Sequence, residues 1–364
     1  MKPQAYQLCD LRDYQCQARA SGLRYVSDGK PGITRRRHGK HFLFFDARGE
    51  RILDENEIMR IRRLAIPPAY ARVWICPDAR GHIQATGLDA RGRKQYRYHA
   101  LWRELRDATK FNHILAFGEA LAVIRSAAAG HMALRGLCRE KVLATVVTLL
   151  EKTLIRVGND EYARKNQSYG LTTLCPEHVE VSGSTLRFRF KGKSNKEWNL
   201  KISDRRIANI VESCAEIEGQ ELFKWVDEAG GVHDVTSGDV NAYLQEVTGE
   251  AFTAKDFRTW TGTVLAAAAL CRLAGTGTAA QARKNIAAAI SDVSQRLGNT
   301  PSVCRKCYVH PEIVAAYMDG SLIAGIAGEI DESLRATYQR LRDDEVRVLI
   351  FLRARLAKRG NVSA

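Results

Sequence analysis

The sequence predicts an α+β protein with a small β-rich N-terminal lobe, residues 1–105, and a larger, mainly helical domain, residues 106–364. Up to His99, short runs of β-branched and aromatic residues alternate with Gly-containing turns, which is typical of antiparallel strands. Beyond His99, apolar residues recur every three or four positions, which is typical of helices packed on a core. A chain of 364 residues is long enough for each part to bury its own core.

Runs with the composition of strands occur throughout the N-terminal lobe. They are Leu23–Val26, Ile33–Arg37, His41–Asp46, Val73–Cys76, His82–Leu88 and Lys94–His99. Three of the turns contain Asp-Ala-Arg-Gly, at residues 46–49, 78–81 and 89–92. Asp can close a turn with its side chain and Gly can adopt a positive φ, so we expect hairpin loops there.

Helical periodicity predicts one helix in the lobe and a series of helices in the larger domain. They span Asp54 to Leu64, Leu101–Arg106, Phe111–Ala127, Arg139–Ile155, Asp204–Ile217, Asp239–Thr248, Ala254–Leu273 and Ala279–Leu297. A small β-excursion is expected over Val179–Val181, Thr185–Phe190 and Glu197–Ile202. We also expect a mobile arm at residues 1–20, a flexible loop at Gly275–Gly277 and one long amphipathic helix at Asp331–Lys358.

The charge of the chain points to a polyanionic partner. Its 56 Lys and Arg against 41 Asp and Glu give a formal net charge of +15. Such a surplus most often serves nucleic-acid binding. The alternatives are a generally basic protein and one that meets acidic membranes. No Lys-rich helix with a strong apolar face stands out, so the membrane is disfavoured.

Cysteine usage and the N-terminus predict the compartment. The nine cysteines are scattered and odd in number, which suits free thiols in a reducing environment. Cys304 and Cys307 form a C-x-x-C without a second ligand pair at zinc spacing, so we expect them to pack in a helix. With no apolar signal segment and no run near the length of a membrane span, the chain is expected to be cytoplasmic.

A tyrosine and a helix start lie close together near residue 300. Thr300 is a good N-cap and Pro301 fits the first helical position, so Asn299 lies just outside a helix N-terminus, where an anion is favoured. Tyr308 follows shortly after. A tyrosine hydroxyl is a poor nucleophile unless cations and donors around a bound phosphate assist it. The alternative is a half-buried structural tyrosine.

Three cations are candidates to assist such a tyrosine. Arg156 lies at a helix end, Lys193 at the tip of a hairpin and Arg258 early in a helix. Each has a structural alternative. Arg156 could neutralise a helix C-terminus, and Lys193 could simply be solvated. Arg258 could pair with Asp256 or Glu250.

A further basic segment, Arg91–Tyr98, interleaves cations with aromatic residues. In a strand, Gln95 and Arg97 face one side while Tyr96 and Tyr98 face the other. Such a strand could contact phosphates and base edges in a groove. A solvated edge strand with one Tyr face packed on the core is an equally good interpretation of this segment alone.

Taken together and in this order, these segments resemble the type IB DNA topoisomerases, in particular the small bacterial and poxvirus-like branch. The resembling motifs are Leu154–Tyr162, Gly170–Leu174, Phe190–Lys193, Lys255–Thr259, Gly298–Ser302 with Tyr308, Ile66–Tyr70 and Gln84–Tyr98. The resemblance covers about residues 20–320.

The resemblance implies a catalytic domain of the tyrosine recombinase/topoisomerase IB type that forms, with the β-rich lobe, a clamp around duplex DNA. By position, it puts Arg156, Lys193, Arg258, Asn299 and Tyr308 in the active site. Tyr308 would form a 3′-phosphotyrosyl bond, and Lys193 would protonate the leaving 5′-oxygen. The two arginines and Asn299 would hold the non-bridging oxygens. Many members have His where this chain has Asn299, although Asn is frequent in the bacterial branch. Because Asn does not titrate, acid–base chemistry by a histidine does not apply at this position.

In the β-rich lobe, the resemblance implies that Gln95, Tyr96 and Tyr98, with Arg93 and Lys94, contact DNA. It also implies DNA relaxation by a monomer, without ATP, metal or another cofactor. The expected location is the cytoplasm, at the nucleoid, away from membranes.

Two alternative functions remain at this point. A tyrosine recombinase shares the Arg, Lys, Arg and Tyr constellation, but it usually carries His three residues before the second Arg, where this chain has Lys255. Its N-terminal lobe is also usually helical. A non-catalytic basic DNA-binding protein would need none of the five active-site residues and would leave their joint occurrence unexplained.

Overall fold

The computed structural model describes residues 14–39, 41–273, 278–328, 330 and 332–362. The chain divides into two compact units, Met1–Asn112 and His113–Ala364. The first is rich in β-strands and the second is mainly helical, so the predicted α+β class is confirmed. The sequence places the boundary near residue 105, and the compact units divide further along, inside the helix Ala100–His131.

The first unit is built on a five-stranded antiparallel sheet in the order β2-β1-β3-β4-β5. Its strands are β1 (Ile33–His38), β2 (His41–Phe45), β3 (Ala71–Ile75), β4 (Ile83–Leu88) and β5 (Lys94–Tyr98), with helices α1 (Tyr14–Ala20) and α2 (Glu55–Arg63). The core residues are Ile33, Phe44, Ile61, Val73, Ile75 and Ala85. Because Ile61 belongs to α2, that helix covers one face of the sheet. Strands β2 and β5 are the two edges.

Two N-terminal expectations differ from the structure. Leu23–Val26 is not a strand, since its only bridge joins Arg24 to Gly81. The predicted arm is wrong for Tyr14–Ala20, which forms α1, while residues 1–13 lie outside the described part. Both differences have one cause: Ala18 and Leu23 are buried against Trp102, which gives this segment a small core of its own.

The three Asp-Ala-Arg-Gly segments form turns as predicted. In each, the Asp carboxylate accepts a hydrogen bond of 2.9 Å from the N–H of the Arg two residues later. Gly49 and Gly92 adopt positive φ, 86° and 71°. The glycine of the remaining segment, Gly81, does not have a positive φ. Instead, a Cβ at Gly81 would lie 2.5 Å from the Cys76 sulfur, so close packing requires glycine there.

The second unit contains the remaining helices and two small sheets. Helices α3 to α9 are α3 (Ala100–His131, shared with the first unit), α4 (Arg139–Thr153), α5 (Asp160–Asn166), α6 (Arg205–Ala215), α7 (Ser237–Thr248), α8 (Ala254–Arg272) and α9 (Ala279–Leu297). They are followed by α10 (Pro301–Cys307), α11 (Pro311–Met318), α12 (Ser321–Ile326), α13 (Glu332–Thr337) and α14 (Asp343–Val362). Strands β6 (Val179–Ser182), β7 (Thr185–Gly192) and β8 (Lys196–Ser203) form the predicted excursion, and β9 (Lys224–Val226) pairs with β10 (Val232–Asp234).

Helix α8 is the centre of the second unit. Its side chains Phe257, Trp260 and Val264 are buried, and it packs against α4, α7, α9, α11, α12 and α14. The predicted loop Gly275–Gly277, which follows α8, lies outside the described residues.

The long helix α3 replaces the two helices expected between Leu101 and Ala127. By length and composition alone, its segment His113–His131, of mean hydropathy 1.2, could cross a membrane, contrary to expectation. The core helix of a soluble protein passes the same test. Here Phe117, Leu121 and Ile124 are buried at helical spacing, so one face of this segment packs in the core.

The C-terminal region forms α13 and α14 rather than one long helix. Arg125 of α3 holds α14 in place, because its guanidinium donates to both carboxylate oxygens of Glu345 at 2.8 Å. It also pairs with Glu151 of α4 at 2.5 Å. This three-residue cluster explains why the chain folds back onto the helical core.

The cysteines follow the sequence expectation only in part. Free thiols are found at Cys76, Cys138, Cys175, Cys214, Cys271, Cys304 and Cys307. Cys16 is disulfide-bonded, so the expectation is wrong for this residue.

Candidate active site

Arg156 is positioned by the chain that follows α4. The helix ends at Thr153, and the next residue, Leu154, adopts a left-handed φ of 57°. The N–H of Leu171 donates to the Arg156 carbonyl oxygen at 2.9 Å. A Cβ at Gly170 would lie 2.6 Å from that oxygen and 2.5 Å from the Gly158 nitrogen, so the two chain segments can approach only with glycine there. The Arg156 backbone is therefore fixed by a second motif distant in sequence.

Arg258 of α8 is almost completely buried, with 3% of its surface exposed. Its Nη1 donates to the Leu154 carbonyl and its Nη2 to the Leu297 carbonyl. One guanidinium thus joins the C-terminal ends of α4 and α9. The alternative pairing with Asp256 is not formed, because that carboxylate accepts hydrogen bonds from Thr253.

The turn between α9 and α10 brings Asn299 to Arg156. Gly298 ends α9 with a left-handed φ of 63°, Thr300 caps α10 with its hydroxyl, and Pro301 is the first residue of that helix, as predicted. The Nη2 of Arg156 donates to the Asn299 Oδ1 and, at 3.3 Å, to the Gly298 carbonyl. Asn299 therefore lies beside the first cation of the predicted site.

Tyr308 follows the last residue of α10, and its ring lies against Arg258. The guanidinium carbon of Arg258 is 5.2 Å from the centroid of the ring. This approach depends on Gly262 of α8, where a Cβ would lie 2.5 Å from the Tyr308 carbonyl oxygen and 3.2 Å from the Tyr308 Cβ. Four of the five predicted active-site residues, Arg156, Arg258, Asn299 and Tyr308, are thus brought together.

The electrostatics of this cluster favour an anion. Burial lowers the pKa of Arg258, and the nearby charge of Arg156 lowers it further, to about 10. Burial also lowers the pKa of Arg156. Both side chains remain protonated at neutral pH, so two like charges share one partly desolvated site.

Two hydrogen-bond donors of the cluster are unused. The Nε of Arg258 and the Nδ2 of Asn299 are buried and have no partner within the described part of the chain. Buried donors are normally paired, so they mark a place for a ligand with several acceptors. A phosphodiester, with its charged non-bridging oxygens, fits this requirement.

Lys193, the fifth predicted residue, lies apart from the cluster. It begins the single turn Lys193–Asn195 at the tip of the β7–β8 hairpin and is exposed. In the described structure, no hydrogen bond or ion pair joins it to the other four residues.

The hairpin that carries Lys193 is nevertheless anchored beside the Asn299 turn. Lys196 donates through its Nζ to the Gln295 carbonyl of α9 at 3.0 Å. The Trp198 ring lies against Gly298, where a Cβ would be 2.8 Å from the ring. Lys193 is therefore held at the tip of a hairpin that contacts the turn of Asn299 through residues just beyond that tip.

The predicted DNA-contact residues lie on β5, an edge strand of the first unit. Tyr96 and Tyr98 are exposed and stack with 5.8 Å between ring centroids, while Gln95 and Arg97 are half-buried on the opposite face. The predicted alternation is confirmed, and the two tyrosines are not packed in the core. Because the outer edge of β5 is unpaired in the sheet, side chains of both its faces border one free edge.

Sequence reasoning missed two carboxylates that bind side chains in and next to this strand. The bound groups are the cations of Arg93 and Lys94 and the amide of Gln95. Asp28 pairs with Lys94 at 2.6 Å, and this hydrogen bond lowers the Asp28 pKa below its ordinary value. Asp89 accepts from Arg93 at 2.8 Å and from Gln95 at 3.0 Å. The only sequence signal for Asp89 was its place in the turn, which did not disclose that its second oxygen faces the strand.

Arg35 begins a cluster of basic residues in the sequence, Arg35–Lys40, and the structure gives it a packing role. Its guanidinium donates to the carbonyls of Ile66, Pro67 and Tyr70 and lies 4.1 Å from the Phe42 ring centroid. It thereby satisfies the backbone of the loop before β3. Lys40, from the same cluster, lies outside the described residues.

Among the residues that the structure describes, no group of three or more His, Cys, Asp or Glu side chains could hold a metal ion. The cluster around Tyr308 consists of cations, an amide and a phenol, which are not ligands that a divalent metal prefers.

Comparison with known proteins agrees with this geometry. Residues 99–326 match the family model described as the catalytic core of eukaryotic DNA topoisomerase I. Residues 41–89 match the N-terminal domain of bacterial DNA topoisomerase IB.

Curated relatives give the same result. The DNA topoisomerase 1B of Acanthamoeba polyphaga mimivirus is 31% identical over 285 residues, which cover 76% of this chain and 85% of the relative. The DNA topoisomerase I of Monkeypox virus and the DNA topoisomerase 1B of Vaccinia virus (strain Copenhagen) are each 20% identical over 257 residues, which cover 70% of this chain and 78% of the relative. With its catalytic-core match and its mimivirus relative, the chain belongs to the type IB DNA topoisomerases.

Proposed function

We propose that this chain relaxes supercoiled DNA by cutting one strand with Tyr308, allowing the duplex to rotate about the intact strand, and resealing the cut. Family membership makes it an isomerase that acts on DNA. The observation that carries the proposed chemistry is the arrangement of Arg156, Arg258 and Asn299 around the Tyr308 ring. Two guanidinium groups and an amide beside one phenol suit attack on a phosphodiester.

In the cleavage step, the Tyr308 oxygen attacks a backbone phosphorus and the bond from phosphorus to the 5′-oxygen breaks. The products are a 3′-phosphotyrosyl bond and a free 5′-hydroxyl, and the phenolic proton passes to water. Charge accumulates on the non-bridging oxygens in the transition state. Arg156, Arg258 and the Nδ2 of Asn299 donate hydrogen bonds to them. The Leu154 and Leu297 carbonyls already orient Arg258, so little reorganisation is needed.

Lys193 is assigned the role of general acid for the leaving 5′-oxygen. An alkoxide is a poor leaving group, so protonation of this oxygen speeds cleavage. The exposed hairpin tip leaves the ammonium group accessible to a bound strand, and Trp198, just beyond the tip, contacts the Asn299 turn. In resealing, the neutral amine takes the proton back as the 5′-hydroxyl attacks.

The proposed reaction requires neither metal nor ATP. Fixed guanidinium groups supply the electrostatic stabilisation that a metal ion supplies in other phosphoryl-transfer sites. The phosphotyrosyl bond conserves the energy of the phosphodiester, so resealing needs no external energy.

The β-rich lobe and the helical domain are proposed to form a clamp around duplex DNA, with β5 as a contact strand. The net charge of +15 and the exposed tyrosine pair of β5 support this role. We further propose a bacterial protein that acts as a monomer in the cytoplasm, at the nucleoid and away from membranes. The N-terminal match to a bacterial domain and the free thiols support this assignment.

A plasmid assay tests the proposed function. Negatively supercoiled plasmid is incubated with the protein in EDTA and without ATP, with Tyr308→Phe as the control. A ladder of relaxed topoisomers from the wild type alone is expected. Recombinant products at defined sites would support a tyrosine recombinase, and retardation of the plasmid without relaxation would support a non-catalytic DNA-binding protein. Either result contradicts the proposal.

A further inference from the structure

The β4–β5 hairpin contains an arrangement that determines which hydrogen-bonding groups Gln95 can offer to DNA. The Oδ2 of Asp89 accepts from the Gln95 Nε2 at 3.0 Å and from the Arg93 Nε at 2.9 Å. The side chain of Asp89 is only 15% exposed, so these contacts lie in a sheltered position. No other hydrogen bond of the Gln95 amide is found in the described structure.

A carboxylate fixes the orientation of an amide that contacts it. An ionised carboxylate can only accept hydrogen bonds, so Gln95 must turn its NH₂ group, and not its oxygen, toward Asp89. The hydrogen bond from Arg93 lowers the pKa of Asp89 to about 2, so the carboxylate is ionised at neutral pH. The Gln95 Oε1 therefore points away from Asp89, with one N–H of the amide still unused beside it.

We propose that Asp89 is a specificity-determining residue, which holds Gln95 in the orientation that reads adenine in the major groove. Adenine presents an N6 donor next to an N7 acceptor there, and this pair complements an outward Oε1 with an adjacent N–H. Guanine presents two acceptors at the same place and offers nothing to the outward oxygen. The inference rests on the proposed function in that β5 must contact a duplex.

The chain contains an internal control for the role of Asp89 in its turn. Asp46 begins an identical Asp-Ala-Arg-Gly turn, and its Oδ1 accepts from Arg48 and Glu50 N–H groups at 2.9 and 2.8 Å. The Oδ1 of Asp89 accepts from Arg91 and Arg93 N–H groups at 2.9 and 3.0 Å. The two turns differ in the second oxygen, because the Asp46 Oδ2 has no hydrogen-bond partner within the described part of the chain.

The variant Asp89→Asn tests the role of the second carboxylate oxygen of Asp89, the Oδ2 that contacts Gln95. Asparagine keeps one acceptor for the turn and replaces the other by an NH₂ donor. Gln95 then turns its oxygen toward residue 89 and its NH₂ group outward, where it complements the acceptors of guanine. Asp46→Asn makes the same chemical change in the matched turn without altering Gln95.

The test is selection of bound duplexes from a library randomised over the binding site, with full-length protein carrying Tyr308→Phe so that no strand is cut. We expect one position that favours adenine by roughly 5- to 150-fold, the value of a good bidentate contact. This preference should vanish in Gln95→Ala, persist in Asp46→Asn, and shift toward guanine in Asp89→Asn.

Arg93 provides a necessary further control, because Asp89→Asn also releases its guanidinium and arginine reads guanine well. The selection is therefore repeated in an Arg93→Ala background. Persistence of the shift in Asp89→Asn/Arg93→Ala supports the orientation of Gln95. Loss of the shift there, or an unchanged adenine preference in Asp89→Asn, overturns the inference, and plasmid relaxation by the wild-type protein then shows that the proposed function still stands. Absence of duplex binding by every variant overturns the inference and the proposed function together.

Discussion

The guanidinium of Arg156 donates a hydrogen bond to the side-chain oxygen of Asn299, and this contact decides what the amide can do. With its oxygen engaged, Asn299 can offer a bound phosphate only its NH₂ group, which is buried and has no partner among the described residues. Asn299 is therefore oriented as a donor before any substrate binds.

Substitutions at Asn299 test this donor role. Loss of one transition-state donor typically slows a reaction by about 10²- to 10³-fold, and we expect this loss in single-turnover strand cleavage by Asn299→Ala. Asn299→His keeps an N–H donor and should remain within about tenfold of the wild type. Asn299→Asp removes the donor and repels the phosphate, so it should be the slowest. Equal rates for the Ala and His variants would contradict the donor role.

Gly262 tests the packing that places Tyr308. A Cβ at this position would lie 2.5 Å from the Tyr308 carbonyl oxygen, so Gly262→Ala should displace the tyrosine. A displacement near 1 Å can cost about 10²-fold in rate, and the strain should destabilise the fold by about 1–3 kcal/mol.

The matched control for this substitution is Gly130→Ala. Gly130 also lies in a helix, but a Cβ there meets no atom within 4 Å. That variant should gain up to about 1 kcal/mol of stability through helix propensity and cleave at the normal rate. Thermal melts and single-turnover cleavage measure both effects. Normal cleavage by Gly262→Ala would show that Tyr308 does not depend on this contact.

Lys193 can be tested by changing the leaving group. Lys193→Ala should slow cleavage of a normal strand by roughly 10²- to 10⁴-fold, because the 5′-oxygen leaves unprotonated. A strand with sulfur in place of the bridging 5′-oxygen has a better leaving group, so it should restore most of the rate. Arg156→Ala should not be rescued to the same degree, since its task is at the non-bridging oxygens.

The control on the same hairpin is Lys191→Ala, since Lys191 is also exposed. It should cleave both substrates at close to the wild-type rate. If Lys193→Ala is equally slow on the oxygen and sulfur substrates, then Lys193 acts electrostatically and the proton comes from another group.

The cluster of Arg125 and Glu345 predicts an acid-sensitive contribution to stability. Burial raises the Glu345 pKa, but hydrogen bonds and charge from Arg125 outweigh burial and hold it below the ordinary value. Because the folded-state pKa is depressed, this stability is present above the unfolded pKa, near 4.5, and is lost as the pH falls through the folded value.

Glu345→Gln should therefore lower the free energy of unfolding by about 3 kcal/mol at neutral pH. The difference in this free energy between the variant and the wild type should shrink below about pH 4.5. Glu119 provides the control, because its ion pair with Arg353 also joins α3 to α14 but is about half exposed. Glu119→Gln should cost less than about 1 kcal/mol. Denaturant titrations between pH 4 and 7 measure both, and equal losses would contradict the buried cluster.

Local signals predicted much of this fold because they act within a few residues. Thr300 and Pro301 define the start of α10 through capping and a fixed φ, and alternation correctly predicted the two faces of β5. Leu23–Val26 has strand composition, but packing of Leu23 against Trp102 leaves it irregular, and such packing is not visible in a local pattern.

The candidate site shows the same division between local and long-range information. The residue types came from motifs, including the resemblance to a known family. The second oxygen of Asp89, the Arg258 contacts to two helix ends and the close approach of Gly170 to Arg156 depend on segments brought together by the fold. Periodicity and spacing contain no information on such contacts.

The most direct test of the proposed chemistry is the site of covalent attachment. The protein is incubated with a short duplex from which the fragment carrying the free 5′-hydroxyl dissociates after cleavage. The reaction is stopped with denaturant, and the protease-digested adduct is mapped by mass spectrometry. We expect one modified peptide, with the 3′-phosphate of the cleaved strand on Tyr308, and no adduct from Tyr308→Phe. An adduct on another residue, or cleavage that leaves no protein-linked DNA, would contradict it.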